Sequence, residues 1–310
     1  MISRRNIRVK VMQSLYTLQS TGNDFTEKQI IIAQNNLNDS LRHSLDLFLT
    51  MVHYVNAVAL FAEKDARIRA SKYLPTDADK NVNTKISGNT FIWQTLENET
   101  FKEKIKSSNI DEKIDYDWVK KIYQELCKSE KYQTYIIESS RNPKDEKSII
   151  RFVWTELMIK NESFQEFLND ELSGWEDDKD MIFILMDNYF KNNHDINFLT
   201  LLSGDKKEYA HSLLRTAIDK QDYCDTLIEP KLINWEAERV AQIDLILLRL
   251  GICELLYFET IPTKVTINEY IEVAKQYSTP QSGQFINAIL DNILKDLEKE
   301  NKIHKSERRK

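Results

Sequence analysis

The chain has 310 residues, 41% of them hydrophobic and 30% charged, with only six glycines and five prolines. So few turn-formers cannot supply the hairpins of a many-stranded sheet, whereas the plentiful Leu, Ile, Glu, Lys and Gln favour helices; an all-α fold is expected, and the length suits about two domains. Net charge is −6 but polarised: residues 1–23 carry +4, residues 301–310 carry +4, and residues 24–300 hold −14.

A first helix is predicted from about Ser3, as N-cap, to about Gln19, closed by Thr21-Gly22-Asn23, with Ile7, Val11, Leu15 and Leu18 as one apolar stripe. A second, long helix is predicted from about Asp39 to Arg69, and the polar stretch Lys72 to Gly88, with Pro75, reads as a loop. Shorter helical patches follow around Trp118 to Cys127, Glu146 to Met158 and Met181 to Phe190, with joints that are polar or contain Pro143 and Gly174. The last third is more regular. Helices are expected from about Lys207 to Ile228, from about Glu236 to Tyr257, from about Ile267 to Tyr277, and from Pro280 to about Glu300. Thr266 and Glu269 have capping-box spacing, and Thr279-Pro280 places an N-cap before a helix-starting proline. No internal repeat or low-complexity run is present.

Several chemistries are missing from the pattern. The best membrane candidate, Leu245 to Phe258, is interrupted by Arg249 and Glu254, so no membrane partner is expected. There is no secretory h-region, and Cys127, Cys224 and Cys253 form no CxxC pair, so a reducing cytoplasm fits, with neither a zinc site nor a disulfide framework. The glycines at 22, 88, 174, 204, 251 and 283 spell no phosphate-cradling loop. No HExxH or GxSxG occurs, and His43, His53, His194, His211 and His304 show no ligand spacing with a cysteine. Asp177, Asp178 and Asp180 read as the acidic first turn of the helix near Met181 rather than as a metal site. No catalytic residue, cofactor or metal is therefore expected.

The N-terminal arginines are the informative feature. Arg4, Arg5 and Arg8 lie on the helix side that carries Val11, Met12 and Leu15, so that end is expected to project past the bundle. Cations there oppose the helix dipole, and a guanidinium cluster with no neighbouring acid suits phosphate. Solvated tails and an Arg-rich transit peptide are the rival readings.

Read together, the two ends of the chain resemble the NusB family of bacterial transcription antitermination factors. The carrying residues are Arg4-Arg5-Asn6-Ile7-Arg8 and Val11-Met12-Gln13-Ser14-Leu15-Tyr16, then Asp244-Leu245-Ile246-Leu247-Leu248-Arg249 with Glu254-Leu255. Ile261 to Glu269 running into Glu272-Val273-Ala274-Lys275, and Ser282 to Asp291, complete them, and the helix from Tyr209 to Pro230 resembles the family's third. The resemblance implies two small helical bundles: residues 1–22 with 206–233 as a discontinuous N-terminal bundle, and residues 234–300 as a C-terminal one. Residues 23–205 would be a large helical insertion and 301–310 a basic tail. It further implies a non-catalytic adaptor that binds boxA-like ribosomal RNA leader together with the ribosomal protein NusE and helps assemble an antitermination complex on RNA polymerase.

Carried over by position, Arg4, Arg5, Arg8 and Gln13 fall in the family's RNA-binding helix, and Arg249, Gln281, Ser282, Gln284 and Phe285 in a second RNA-facing patch. Tyr16 and Asp244 match positions facing NusE. Gln284 stands where the family often has a basic residue, and Gln281 where it has an acid. The residues alone also permit Phe285 as core, Tyr16 as a packed ring with a wet hydroxyl, and Arg249 paired with Asp244 or Glu254. NusB-like domains also occur fused to ribosomal RNA methyltransferases, but Gly88, Gly174 and Gly204 sit in no cofactor-binding context. An alternative role is a protein-interaction or ribosome-assembly adaptor that works through the acidic insertion.

Overall fold

The computed structural model describes residues 2–20, 22, 25–192, 196–232 and 240–306. The described residues are helical throughout, without strands: α1 Arg4–Gln19, α2 Glu27–Ala70, α3 Asp77–Lys80, α4 Thr90–Leu96, α5 Glu99–Ser107, α6 Tyr116–Lys128, α7 Glu130–Ile137, α8 Pro143–Phe152, α9 Glu162–Glu171, α10 Trp175–Asn192, α11 Gly204–Asp219, α12 Gln221–Ile228, α13 Gln242–Tyr257, α14 Thr263–Tyr277 and α15 Ser282–Lys299. A π-helical turn, Val153–Met158, continues α8. Packing divides the chain into one unit of residues 42–201 and another of residues 2–41 with 202–310. The N-terminal part of α2, up to residue 41, belongs to the unit that holds the terminal helices.

In the unit of residues 42–201, α2 supplies the spine of the core. Phe48, Met51, Val52, Val55, Val58, Ala59 and Ala62 are all buried. Aromatic pairs surround it: Tyr54 edge-on to Phe164 at 5.5 Å, Phe61 with Tyr123 at 5.4 Å, and Phe91 with Tyr189 at 5.2 Å. One 18-residue window of α2 has a mean hydropathy of 1.6, enough by length and composition to cross a membrane, a stretch longer than the Leu245 to Phe258 segment. Within the protein 78% of that window is buried, the property of a core helix.

The short helices of this unit begin at capping side chains. Asn89, Asn98, Asp115, Ser129, Asn142 and Asn161 each accept a hydrogen bond from a first-turn backbone N–H, and Pro143 follows Asn142 at a position where its missing N–H costs nothing. The stretch expected as a loop contains α3, closed by a Thr76–Asp79 capping box, and a 3₁₀ turn at Lys85–Gly88. Asp177 and Asp178 do lie in a first turn, but of a helix that starts at Trp175, so that Asp180 falls in the second; Asp178 is buried, accepting from Ser44 Oγ at 2.6 Å. No metal-binding group of His, Cys, Asp or Glu occurs among the described residues; His194 lies outside them.

In the other unit, α13 is central, packed by α14, α15, α1 and α11. Its side chains from Ile246 to Leu248 and from Leu250 to Leu255 are buried on all sides, as an almost continuously apolar helix requires. The helix expected from Lys207 to Ile228 is broken at Lys220 into α11 and α12, and the first residues of the helix expected from Glu236 lie outside the described ones.

Candidate nucleic-acid interface

The site grows from α1. Ser3 caps it, accepting from the Asn6 N–H at 3.2 Å, and Ile7, Val11, Leu15 and Leu18 bury the predicted stripe. The first turn holds Arg4 and Arg5 and no acid. The acids come instead from far along the chain.

Glu254 of α13 is 0% exposed and lies at the centre of a polar network. It accepts from Arg8 Nε at 2.9 Å and Nη2 at 2.7 Å, from Tyr209 Oη at 2.6 Å, from Thr266 Oγ1 at 2.7 Å and from Tyr270 Oη at 3.3 Å. The Arg8 guanidinium also lies over the Tyr209 and Tyr270 rings, 5.9 and 5.6 Å from their centroids, adding cation–π attraction. Arg8, expected from the sequence to meet phosphate, is only 1% exposed and forms a core ion pair instead, so α1 does not free all three arginines for a ligand. Burial works against the charge on each partner, yet their mutual hydrogen bonds hold the Arg8 pKa above and the Glu254 pKa below the ordinary values.

The capping box expected at Thr266 and Glu269 is absent for a related reason. Helix α14 starts earlier, at Thr263, so both residues are inside it. Thr266 gives its hydroxyl to Glu254, and Glu269 receives Arg5 through Nε at 3.1 Å and Nη2 at 3.0 Å, and Arg8 Nη1 at 3.3 Å.

Because the Glu254 pKa is depressed in the folded state, its stabilisation is complete above the unfolded glutamate value and is lost as pH falls through the folded one. Urea melts from pH 7 to pH 3 are therefore expected to show the wild type losing stability below the glutamate range. The Glu254→Gln variant, less stable at every pH, should show a shallower loss; parallel curves would deny Glu254 this part.

Arg4 is half-buried and Arg5 exposed. Arg4 lies with its guanidinium 5.6 Å from the Tyr209 ring centroid, and half of the Arg5 side chain is exposed beside Glu269. Lys206 of α11, which sequence reasoning missed, donates to the Ile2 carbonyl. Burial lowers its pKa, Asp205 raises it, and the neighbouring Arg4 charge lowers it again. The Lys206-Lys207 pair at the start of a predicted helix was the available signal. Gln13 is half-buried and Tyr16 is 46% exposed.

The second patch is more interior than expected. Helix α15 starts at Ser282, two residues after Pro280, with Gln281 at the N-cap position, so Thr279 is not the cap. Gln281 and Gln284 are exposed, but Ser282 and Phe285 are buried, Phe285 joining Ile286 and Ile289 in the core. Ser282 Oγ donates to Asp244 Oδ2 at 2.7 Å and Asp244 is itself buried, so this carboxylate tethers α15 to α13 instead of facing solvent. Arg249 pairs with Asp225 of α12, through Nε at 2.7 Å and Nη2 at 2.9 Å, and not with Asp244 or Glu254. Residues Lys302 to Ser306 pack back on the bundle: Lys305 Nζ donates to the Glu254 and Phe258 carbonyls at 2.9 Å, capping the end of α13. Residues 307–310, with Arg308, Arg309 and Lys310, lie outside the described ones.

Comparison with known proteins agrees with this core. A family model described as the NusB family matches residues 176–295. The transcription antitermination protein NusB of Salinibacter ruber is 43% identical over 102 residues, 33% of this chain and 64% of that protein. The protein of the same name from Methylacidiphilum infernorum is 35% identical over 139 residues, 45% of this chain and 93% of its own length. The chain belongs to the NusB family. A solved structure of T. maritima NusB aligns at 36% identity over 36% of this chain and 83% of its own, with a TM-score of 0.29. The NusB family match takes in α10 through most of α15, with Glu254, Glu269 and Asp244, and begins earlier than the Tyr209 helix.

Proposed function

We propose that this chain is a non-catalytic, cytoplasmic RNA-binding transcription antitermination factor. It would bind boxA-like ribosomal RNA leader together with NusE and help assemble the antitermination complex on RNA polymerase. The observation that carries the reading is the pair of surface guanidiniums, Arg4 and Arg5, on a helix end whose position is fixed from below by the buried Arg8–Glu254 pair. Arg4 and Arg5 hold the RNA phosphates in position, and the exposed amides of Gln281 and Gln284 offer hydrogen bonds to the same ligand. Tyr16 presents a wet hydroxyl to the protein partner. The domain division expected from the family, two bundles plus an insertion, belongs to this proposal.

The test is binding of a boxA-like RNA, against a scrambled RNA of equal length, across a salt series with and without NusE. An Arg4→Gln/Arg5→Gln variant is expected to bind more weakly, with a salt slope shallower by about one for each phosphate that is no longer neutralised. Equal affinity and slope in variant and wild type would remove these arginines from the interface, and no effect of NusE would remove the partner.

A further inference from the structure

Cys224 and Cys253 stand 29 positions apart in the chain, yet the fold sets them face to face. Cys224 is on α12, Cys253 is on α13, and both are 0% exposed. Their Sγ atoms lie 3.6 Å apart and share a hydrogen bond, and Cys224 Sγ also donates to the Arg249 carbonyl at 3.9 Å. Packing alone does not call for sulfur here, since a buried free cysteine fills space as any small hydrophobe does. The third cysteine, Cys127, is half-buried on α6 in the unit of residues 42–201, away from this pair.

The contact is held from both sides. Asp225, next to Cys224, receives Arg249 through Nε at 2.7 Å and Nη2 at 2.9 Å. Glu254, next to Cys253, receives Arg8 through Nε at 2.9 Å and Nη2 at 2.7 Å. Each sulfur thus follows a turn that an arginine fixes. A disulfide sets its sulfurs about 2.05 Å apart, so the pair has to close by only about 1.5 Å. Helix α12 is eight residues long, a body small enough to move that far without rebuilding α13. The hydrogen bond with Cys224 and burial both push the Cys253 thiol well above its ordinary pKa, so at neutral pH it rests protonated and slow to react.

We propose that Cys224 and Cys253 are a reversible redox pair, two thiols at rest, which hydrogen peroxide joins into a disulfide that fastens α12 to α13. One sulfur, as thiolate, attacks a peroxide oxygen; the O–O bond breaks, a sulfenic acid forms, and the departing hydroxide takes the thiol's proton as water. The second sulfur then attacks the sulfenic sulfur; the S–S bond forms, the S–O bond breaks, and the hydroxyl leaves with the second thiol's proton as water. Each sulfur loses one electron and the peroxide gains two. Burial selects the oxidant by size: a peptide disulfide is too large for a pair with no exposed surface, whereas peroxide needs only a local opening of α12. In a reducing compartment such a disulfide is transient, the behaviour of a sensor and not of a permanent staple. The inference does not rest on the RNA reading of the terminal helices.

The test uses the full chain with Cys127→Ser, which leaves this pair as its thiols, incubated with hydrogen peroxide in native buffer. Both thiols are expected to be lost together when counted in denaturant, with one peptide pair linked through Cys224 and Cys253, and dithiothreitol is expected to restore both. The linked form should also unfold at a higher urea midpoint than the reduced form, because the cross-link restricts the unfolded chain. Survival of both thiols under conditions that consume free cysteine, sulfinic acids without a linked pair, or a link that forms only in urea overturns the proposal. An unchanged or lower midpoint in the linked sample overturns the fastening of α12. Wild type, with Cys127 resolved by peptide mapping, gives the same readings if the serine variant folds poorly.

Discussion

Truncation of Arg8 to alanine is expected to destabilise the protein by about 3–5 kcal/mol, the cost of leaving one member of a buried ion pair uncompensated. The fully enclosed Glu254 carboxylate would keep only the Tyr209, Thr266 and Tyr270 hydroxyls, and its burial penalty would go unanswered. Urea denaturation measures the loss. An Arg8→Met/Glu254→Met variant removes both charges at similar volume and is expected to recover much of the stability, since well-packed apolar replacements of buried pairs are often neutral or better. The same double variant keeps Arg4 and Arg5 in place. If Arg8 serves only to anchor α1, its RNA affinity stays near wild type; a large loss in a stably folded double variant would return Arg8 to the RNA surface.

Replacing Trp175 with alanine should lower stability by a similar amount through a different cause, about 3–5 kcal/mol for deletion of a buried indole. Trp175 is the largest fully buried side chain among the described residues. Its Nε1 donates to Gln165 Oε1 at 3.3 Å, and its ring meets Phe183 edge-on at 6.4 Å. The turn that delivers it uses Gly174 at φ 74°, a left-handed conformation that other residues adopt at a cost. Urea melts, with proteolysis mapped by mass spectrometry, are expected to show a lower midpoint and new cleavage among residues 42–201. An unchanged midpoint would mean that the core around α10 relaxes to fill the cavity.

Which features could be read in advance follows from the range of the interactions that set them. Helix α1 is legible because its cap and its stripe are local: Ser3 and Asn6 are three residues apart, and Ile7, Val11 and Leu15 repeat by helical turns. The start of α2 is not. Gln34, Asn35, Asn36 and Asn38 look like a polar joint, yet Leu37 and Leu41 among them are fully buried, and the Asn38 side chain is hydrogen-bonded to His211 across 173 residues of sequence. The capping-box pattern at Thr266 and Glu269 is real as a pattern and misleading as a position, because Pro262 has already started the helix and both side chains serve arginines of α1 and their partner. For the candidate site, exposure is the hidden variable. Residue type and order bring Arg8, Asp244, Ser282 and Phe285 forward as ligand-facing groups, and each is buried; Arg4, Arg5, Tyr16, Gln281 and Gln284 keep surface.

The pairing of Arg8 with Glu254 joins residues separated by 246 positions, and this has a consequence for synthesis. At translation rates of about 5–20 residues per second, roughly 12–50 s pass between the emergence of α1 and that of its carboxylate partner. During that interval the stripe of Ile7, Val11, Leu15 and Leu18 has no α13 to cover it, and residues 42–201 are all made before it ends. Closure of the core around α13 therefore comes late in synthesis, after the whole of residues 42–201 has emerged.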